Sequence, residues 1–279
     1  MTGALVVVAT PIGNLGDLSP RAVSALASCD IVACEDTRRT RGLLSHAGIR
    51  GAGRLVSVHA HNEEARAEEL VARIAEGARV AYVTDAGTPT VSDPGARLVR
   101  ACVEAGHPVE VVPGASAVLT ALVLSGFAAD RFVFEGFLPR RGRERRDRLA
   151  AIAADLRPTV LYEAPGRVAT TLADLAAACG VARPCAVARE LTKVHEEVWR
   201  VPLGEAATRM ATTEARGEYV LVVGPGVAVT VEVDDAVLLA ALERAVAAGA
   251  STRDAAASVA AEHGVPRRRV YALAVDRRG

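Results

Sequence analysis

A single lysine stands among the 33 Lys and Arg residues of this chain, in the run Ala188-Arg189-Glu190-Leu191-Thr192-Lys193-Val194-His195. A compact ammonium does two things a guanidinium does not. Burial can lower its pKa and free it to take a proton, and as a point charge it can hold a phosphate. Glu190 is the second proton acceptor of the run. Lys193 and Glu190 are therefore the candidate catalytic pair, set against the plainer reading of an incidental lysine in a solvent-facing hairpin. A second kind of chemistry is written in residues 85–95, DAGTPTVSDPG, which follow the apolar run Val80-Ala81-Tyr82-Val83. Glycine lets a backbone approach a ligand closely, and proline sets a turn without wasting a donor. With neither GxGxxG nor GxxxxGK present, this is not a phosphate cradle, which argues against a dehydrogenase and against a triphosphate. A different nucleotide-like ligand is expected.

Two more turns resemble it. ATPIGNLGDLS, residues 9–19, has Pro11 and Gly13 in a tight loop, with Asp17 or Ser19 placed to cap the next helix. VPGASA, residues 112–117, places Ser116 to donate to a ligand from a helix N-terminus. Three Gly/Pro turns at one edge of one sheet make a pocket lip. The arginines crowd in two places: Arg38, Arg39 and Arg41 beside Glu35 and Asp36, and Arg140, Arg141, Arg143, Arg145, Arg146 and Arg148 after Phe137-Leu138-Pro139. Such a run is either a solvated helix face paired with Glu144 and Asp147 or a flap that grips phosphates. His59 and His61 would share a strand face, and two histidines without a further ligand read as structural or surface groups.

These residues need a scaffold. Apolar, β-rich runs at 5–9, 31–34, 56–58, 80–84 and 109–112 alternate with helical patterns at 19–28, 37–46, 63–76 and 92–104, the pattern of a parallel sheet covered on both faces. A second set of runs, 132–134, 159–162, 185–188, 194–201 and 219–223, ends in three closely spaced strands and so predicts a mixed sheet. A strand-like linker at 227–233 leads to three short helices at 234–247, 251–262 and 266–274, with a capping-box pattern at Ser251 and Asp254. The expected domains are an α/β lobe at 1–114, a second α/β lobe at 115–226 and a helix-turn-helix-like module at 234–279. The module serves either packing and dimerisation or, through Arg267, Arg268 and Arg269, nucleic acid.

Composition sets the outer limits. Formal net charge is zero and charged residues are 24%, which is not a coat of positive charge for nucleic acid. No basic segment precedes the first apolar run, so no secretory signal is expected, and the apolar patch at 115–129 is too short to span a membrane. Five cysteines without a CxxC predict neither structural disulfides nor zinc and fit a reducing cytoplasm.

TPIGNLGDLS, CEDTRRTRGLL, TDAGTPTVSDPG, VPGASA, FEGFLPRRGRER, YEAPGRV and ARELTKVHEEV together resemble the bacterial ribosomal RNA 2′-O-ribose methyltransferases of the tetrapyrrole methylase superfamily. The resemblance runs from about residue 5 to the C-terminus. Where that superfamily usually reads GPGD and GDP, this chain has Thr10-Pro11-Ile12-Gly13 and Gly87-Thr88-Pro89, a departure that favours the RNA branch over the porphyrin branch. The resemblance implies a two-lobed α/β fold, with a parallel-sheet N-lobe, a mixed-sheet C-lobe and S-adenosyl-L-methionine in the cleft between them. Its implied cofactor contacts are Pro11, Asp85, Ala86, Gly87, Thr88, Val91, Ser116, Ala117, Glu163 and Leu191. It also implies methylation of a cytidine in the decoding region of 16S rRNA, a small-subunit substrate, a homodimer, no metal and no membrane. RNA contacts are expected at Arg38, Arg39, Arg140, Arg141 and Arg143. The open alternatives are a methylase of a tetrapyrrole or other small molecule, and a ligand-sensing regulator that binds DNA.

Overall fold

The computed structural model describes residues 3–50, 54–59, 61–227 and 233–276. The chain divides into two compact units, Met1–Gly226 and Val227–Gly279. In the larger unit the first sheet comprises β1 (Ala4–Val8), β2 (Ile31–Cys34), β3 (Leu55–Ser57), β4 (Arg79–Val83) and β5 (Val109–Val112), all parallel, in the order β3-β2-β4-β1-β5. Helices α1 (Pro20–Ser28), α2 (Thr37–His46), α3 (Glu63–Ala75) and α4 (Ala96–Glu104) make the crossovers.

The two-sided cover follows from alternation along the strands. Leu5 and Val7 of β1 join Leu70 and Ile74 of α3 and Leu98 of α4 in one cluster. Val6 and Val8 join Leu26 of α1 and Leu44 of α2 in the other. All five residues of β1 are buried, as a central parallel strand requires. Each fully buried Val or Leu contributes about 1.5–3 kcal/mol relative to an exposed one, so the strand ends are held firmly. Because the chain leaves β1 and β4 in opposite directions across the sheet, the loops after these neighbours open the crevice expected at such a switch point. A two-way backbone bridge between Thr10 and Gly87 ties those loops together.

The second sheet holds β6 (Val133–Phe137), β7 (Thr159–Glu163), β8 (Pro184–Arg189), β9 (Glu197–Pro202) and β10 (Tyr219–Val223) in the order β6-β7-β10-β8-β9. Only β6 and β7 run parallel, so the sheet is mixed as expected. Helices α6 (Arg143–Ala154), α7 (Pro165–Cys179) and α8 (Leu203–Ala211) cover one face through Ile152, Leu172, Leu175, Leu203 and Met210. The other face packs on α5 (Ala117–Ser125) through Val118, Ala121 and Leu122, and Ile12 from the first loop joins that cluster. One isoleucine thereby anchors the parallel lobe's loop in the mixed lobe's core.

Several expected boundaries move, each for a local reason. The helix expected from residue 92 begins at Ala96, because Thr90, Ser92 and Gly95 have positive φ. Glu63 then accepts the N–H groups of Gly95 and Arg97 at 2.9 and 3.0 Å, capping the helix from another element. The strand expected from residue 194 begins at Glu197, after a tight turn with Glu190 and Thr192 left-handed. The strand expected at 132–134 extends to Phe137. β3 ends at Ser57, so His59 and His61 do not share a strand face; they lie in the following turn with rings 6.0 Å apart. Ser19, not Asp17, caps α1, accepting from the Ala22 N–H at 3.1 Å.

The smaller unit contains α9 (Asp235–Ala247), α10 (Thr252–His263) and α11 (Arg267–Asp276), packed through Leu238, Leu242, Val259 and Val270. Ser251 caps α10, and Gly264 ends it in the left-handed region. Arg269 pairs with Asp235 at 2.6 Å, so one of the three arginines opening α11 is spent on the bundle itself. Most of the linker read as strand-like at 227–233 lies outside the described residues.

Candidate active site

Two adjoining cavities open at the carboxyl ends of β1 and β4, and they share Ile12, Ala86 and Glu218. The first, of about 310 Å³, is lined by eight of the expected cofactor residues: Ala86, Gly87, Thr88, Val91, Ser116, Ala117, Glu163 and Leu191. Sequence reading missed Ile12, Phe137, Tyr162, Asp93 and the β10 edge at Glu218, Tyr219 and Val220, which also line it. Phe137, Tyr162 and Asp93 sit inside the motifs FEGFLP, YEAP and SDPG, where a closer look would have found them. The β10 edge carries no motif, and only strand order brings it there. The second cavity, of about 340 Å³, is lined by Pro11, Asp85, Arg39 and Lys193 together with Gly13, Thr40 and Thr84. Pro11 and Asp85 therefore belong beside the first cavity rather than in its wall. Glu190 lines neither cavity.

The backbone is most unusual here. The four described non-glycine residues with positive φ are Thr90, Ser92, Glu190 and Thr192, all in the two loops that frame these cavities. A left-handed threonine is costly, so packing must hold both loops in place. The first loop supplies part of that packing. The Asn14 N–H donates to Thr192 Oγ1 at 3.0 Å, and a Cβ at Gly13 would lie 2.5 Å from Lys193 Cγ. Gly13 is thus glycine because the lysine stem lies against it.

Lys193 Nζ donates to Glu190 at 2.8 Å and to Glu218 at 2.9 Å. Burial pushes its pKa down, but the two carboxylates outweigh burial and the net shift is upward. Glu190 is lowered, first by its hydrogen bond from Lys193, despite partial burial. Of the two roles open to Lys193, the upward shift favours the cation that holds a phosphate over the proton acceptor, with Glu190 as its counter-ion. Glu163 is fully engaged as well. Its buried carboxylate accepts from Thr171 Oγ1 at 2.6 Å and the Ala164 N–H at 2.9 Å, and faces Arg167 at 3.3 Å. Ser116 caps α5, accepting from the Leu119 N–H at 3.5 Å instead of only donating outward.

Above the second cavity Arg39 pairs with Asp85 at 3.5 Å, and Asp85 also accepts the Asp36 N–H at 3.2 Å. Arg38 is 89% exposed and touches Asp36 only loosely, at 3.9 Å. The arginine-rich segment resolves into two populations. Arg145 is buried, bonding Asp174, Thr171 and the Pro139 carbonyl, and Arg148 pairs with Glu135. Arg140, Arg141 and Arg143 remain exposed, the last paired with Asp147 one turn away at 3.4 Å. Among the described residues no group of three or more His, Cys, Asp or Glu side chains is arranged to hold a metal, and no helix is long and apolar enough to cross a membrane.

The profile of the Tetrapyrrole (Corrin/Porphyrin) Methylases matches residues 4–207, which takes in both sheets up to β9 and most of α8. The chain is 48% identical over 271 residues to the "Ribosomal RNA small subunit methyltransferase I" of Mycobacterium bovis, covering 97% of this chain and 94% of that one. It is 44% identical to the protein of the same name from Synechocystis sp., over 98% of each chain. Among solved structures it resembles the uroporphyrin-III C-methyltransferase of Thermus thermophilus complexed with S-adenosylhomocysteine, with a TM-score of 0.58 and 19% identity over 80% of this chain and 97% of that one. The chain belongs to the tetrapyrrole methylase family, on the branch of the ribosomal RNA small subunit methyltransferases I.

Proposed function

We propose that this protein transfers the methyl group of S-adenosyl-L-methionine to the 2′-oxygen of a cytidine in the decoding region of 16S rRNA. The first cavity suits the cofactor. Small residues and bare backbone at Ala86, Gly87, Ser116 and Ala117 leave peptide groups free to meet an adenosine and an amino acid, and Tyr162 with Leu191 supplies apolar wall. Gly87 keeps the lip open: φ is +82°, and a Cβ there would touch Ile12 at 3.4 Å. A bound S-adenosylmethionine supplies a methyl already activated by its sulfonium, so the protein's task is alignment and removal of one proton.

The observation that carries this reading is the second, polar cavity sharing a wall with the first, with Arg39 and Lys193 at its rim. A nucleotide seated there brings its ribose to the shared wall, while its phosphates meet the two cations in place of their carboxylate partners. Arg38, Arg140, Arg141 and Arg143, all exposed, are the further arginines this reading assigns to RNA. Lys193 acts as a cation that holds RNA, which is the role its raised pKa allows. The homologues' name supports the small-subunit substrate, and the motifs cited above support the 2′-oxygen. A homodimer fits α5, where Leu119 and Val123, one turn apart, are 54% and 76% exposed. No feature of the described residues conflicts with a cytoplasmic setting.

The test is direct. Small subunits from a strain lacking this methylation are incubated with the protein and isotopically labelled cofactor, and the label is mapped by nuclease digestion and mass spectrometry. Label on a cytidine ribose in the decoding region is the expected result; label on a base, on a tetrapyrrole only or on nothing overturns it.

A further inference from the structure

Resting on the methyl-transfer reading, the geometry points to Asp93 as the group that takes the proton from the attacking ribose hydroxyl. Four carboxylates line the two cavities, and three are committed elsewhere. Glu163 is saturated by Thr171, the Ala164 N–H and Arg167. Glu218 is 71% exposed and paired with Lys193, and Asp85 is paired with Arg39 and accepts the Asp36 N–H. Asp93 lines the first cavity, half-buried and next to Thr84 of the second cavity's lining, and among the described residues no cation or backbone N–H is bonded to it.

The surroundings of Asp93 explain how a carboxylate becomes a usable base. Burial raises its pKa first, and the negative charges of Glu35, beyond β2, and Asp85, beyond β4, raise it further. The hydroxyl of Thr84 works the other way, and the result is a value of about 6. The phenol of Tyr162, on β7, is itself pushed up to about 12 by burial and by Asp93. Tyr82 is also raised, by burial and by the charges of Glu63, Glu35 and Asp93, and its hydroxyl has no hydrogen-bond partner. Among the described residues no cation acts on Asp93: Arg79, at the far end of β4, pairs with Glu110, and Arg39 is engaged with Asp85. A carboxylate of this strength is ionised at neutral pH and accepts protons better than an ordinary aspartate. The loop geometry supports the role too: Ser92 is left-handed, which fixes the direction in which the next residue leaves the turn.

The step balances. As the ribose 2′-oxygen forms its bond to the methyl carbon, its O–H electron pair stays on oxygen and the proton passes to the Asp93 carboxylate. The methyl–sulfur bond breaks with its pair going to sulfur, and the sulfonium becomes a neutral thioether. The proton then leaves Asp93 for water. Lys193 and Arg39 hold the nucleotide during this exchange and take no proton.

Asp93→Asn and Asp93→Glu proteins, with the unsubstituted enzyme, are compared in three measurements: single-turnover transfer to undermethylated small subunits from pH 5 to 9, calorimetric binding of S-adenosylhomocysteine, and thermal melting without ligand. For Asp93→Asn the expected result is a transfer rate lowered about 100-fold or more. The acid limb near pH 6 is lost, product affinity stays within about threefold of the unsubstituted value, and ligand-free melting is higher at pH 8 but not at pH 4. Asp93→Glu restores part of the rate with a displaced acid limb. Near-normal transfer by Asp93→Asn, with its limb intact, overturns the assignment. So does a loss of product affinity that parallels the loss of rate, which would make Asp93 a cofactor contact. Should Asp93→Asn fail to fold, Asp93→Glu decides: a displaced limb supports the assignment and an unmoved one overturns it. Absence of ribose methylation by the unsubstituted enzyme refutes the methyl-transfer reading as well, and so is distinguished from failure of Asp93 alone.

Discussion

Replacing Lys193 by Ala removes the one lysine ammonium of the chain from between two carboxylates. Its bond to Glu190 joins side chains that are 30% and 19% exposed, and its bond to Glu218 reaches a side chain that is 71% exposed. A partly screened pair of the first kind contributes about 1 kcal/mol after solvent discounting, and the second at most about 0.5 kcal/mol. Loss of the stem against Gly13 adds to this, so Lys193→Met, which keeps the stem, isolates the charge. A total of about 1.5 kcal/mol lowers the melting temperature of a unit this size by about 3–6 °C.

The pH window follows from the signs. Lys193 has a raised pKa, so its contribution is present below the ordinary lysine value and fades as pH rises through the shifted one. Glu190 is lowered, so its contribution is present above the ordinary glutamate value and fades as pH falls through the shifted one. The stability deficit of Lys193→Met should therefore be flat from about pH 5 to pH 10 and vanish in acid. For function, exchanging a compensated ion pair for a phosphate is worth about 1 kcal/mol, or about fivefold in the KM for small subunits. The slope of log affinity against log salt should fall by about 0.7–0.9. Cofactor affinity should hold. If the melting deficit appears while substrate KM and salt slope stay unchanged, Lys193 is a strut between two turns and the RNA contact is wrong.

Other outcomes follow from single contacts. Gly13→Val places a branched side chain where the Lys193 stem and the Leu191 carbonyl already lie, and should cost about 2–4 kcal/mol with a parallel loss of cofactor affinity, read by melting and calorimetry. The arginine segment should split cleanly. Arg145→Ala strands Asp174 and lowers stability by about 2–4 kcal/mol with little effect on the salt slope, whereas Arg140→Ala with Arg141→Ala leaves melting unchanged and weakens small-subunit binding. Gly95→Ala meets Tyr82 at 2.1 Å with φ at +113° and should unfold the loop at residues 84–95, seen as lost product binding with a lowered melting temperature. Because Asp93 is raised above its ordinary value, native-state stability should fall by about 1 kcal/mol between pH 4 and pH 7 on its account, and Asp93→Asn should abolish that part of the slope.

Much of this architecture is legible in residue order because it depends on local pattern. Alternating apolar runs and helical spacings place the ten strands within a few residues, since burial on one face or two is written in each segment by itself. Glycine and proline at strand ends mark the lip of the first cavity for the same reason: they report backbone needs of their own position. Eight expected cofactor positions gather around one cavity. Charge was the poorer guide. Arg145 and Arg140 read alike in sequence, yet one is buried against Asp174 and the other faces solvent, because only the packing of α6 on α7 separates them.

The role of the lone lysine was likewise undecidable from its neighbours in sequence. Glu218, 25 residues away, arrives only through the pairing of β10 with β8, and it is this second carboxylate that helps keep Lys193 charged. Asp93 shows the same limit in reverse. Its motif was visible, but its raised pKa comes first from burial and then from Glu35 and Asp85, which the strand order β2-β4-β1 sets at one sheet edge. Segments thus declare where they are buried and where they turn. Which charges meet, and so which proton can move, is decided only when distant segments share a low-dielectric space.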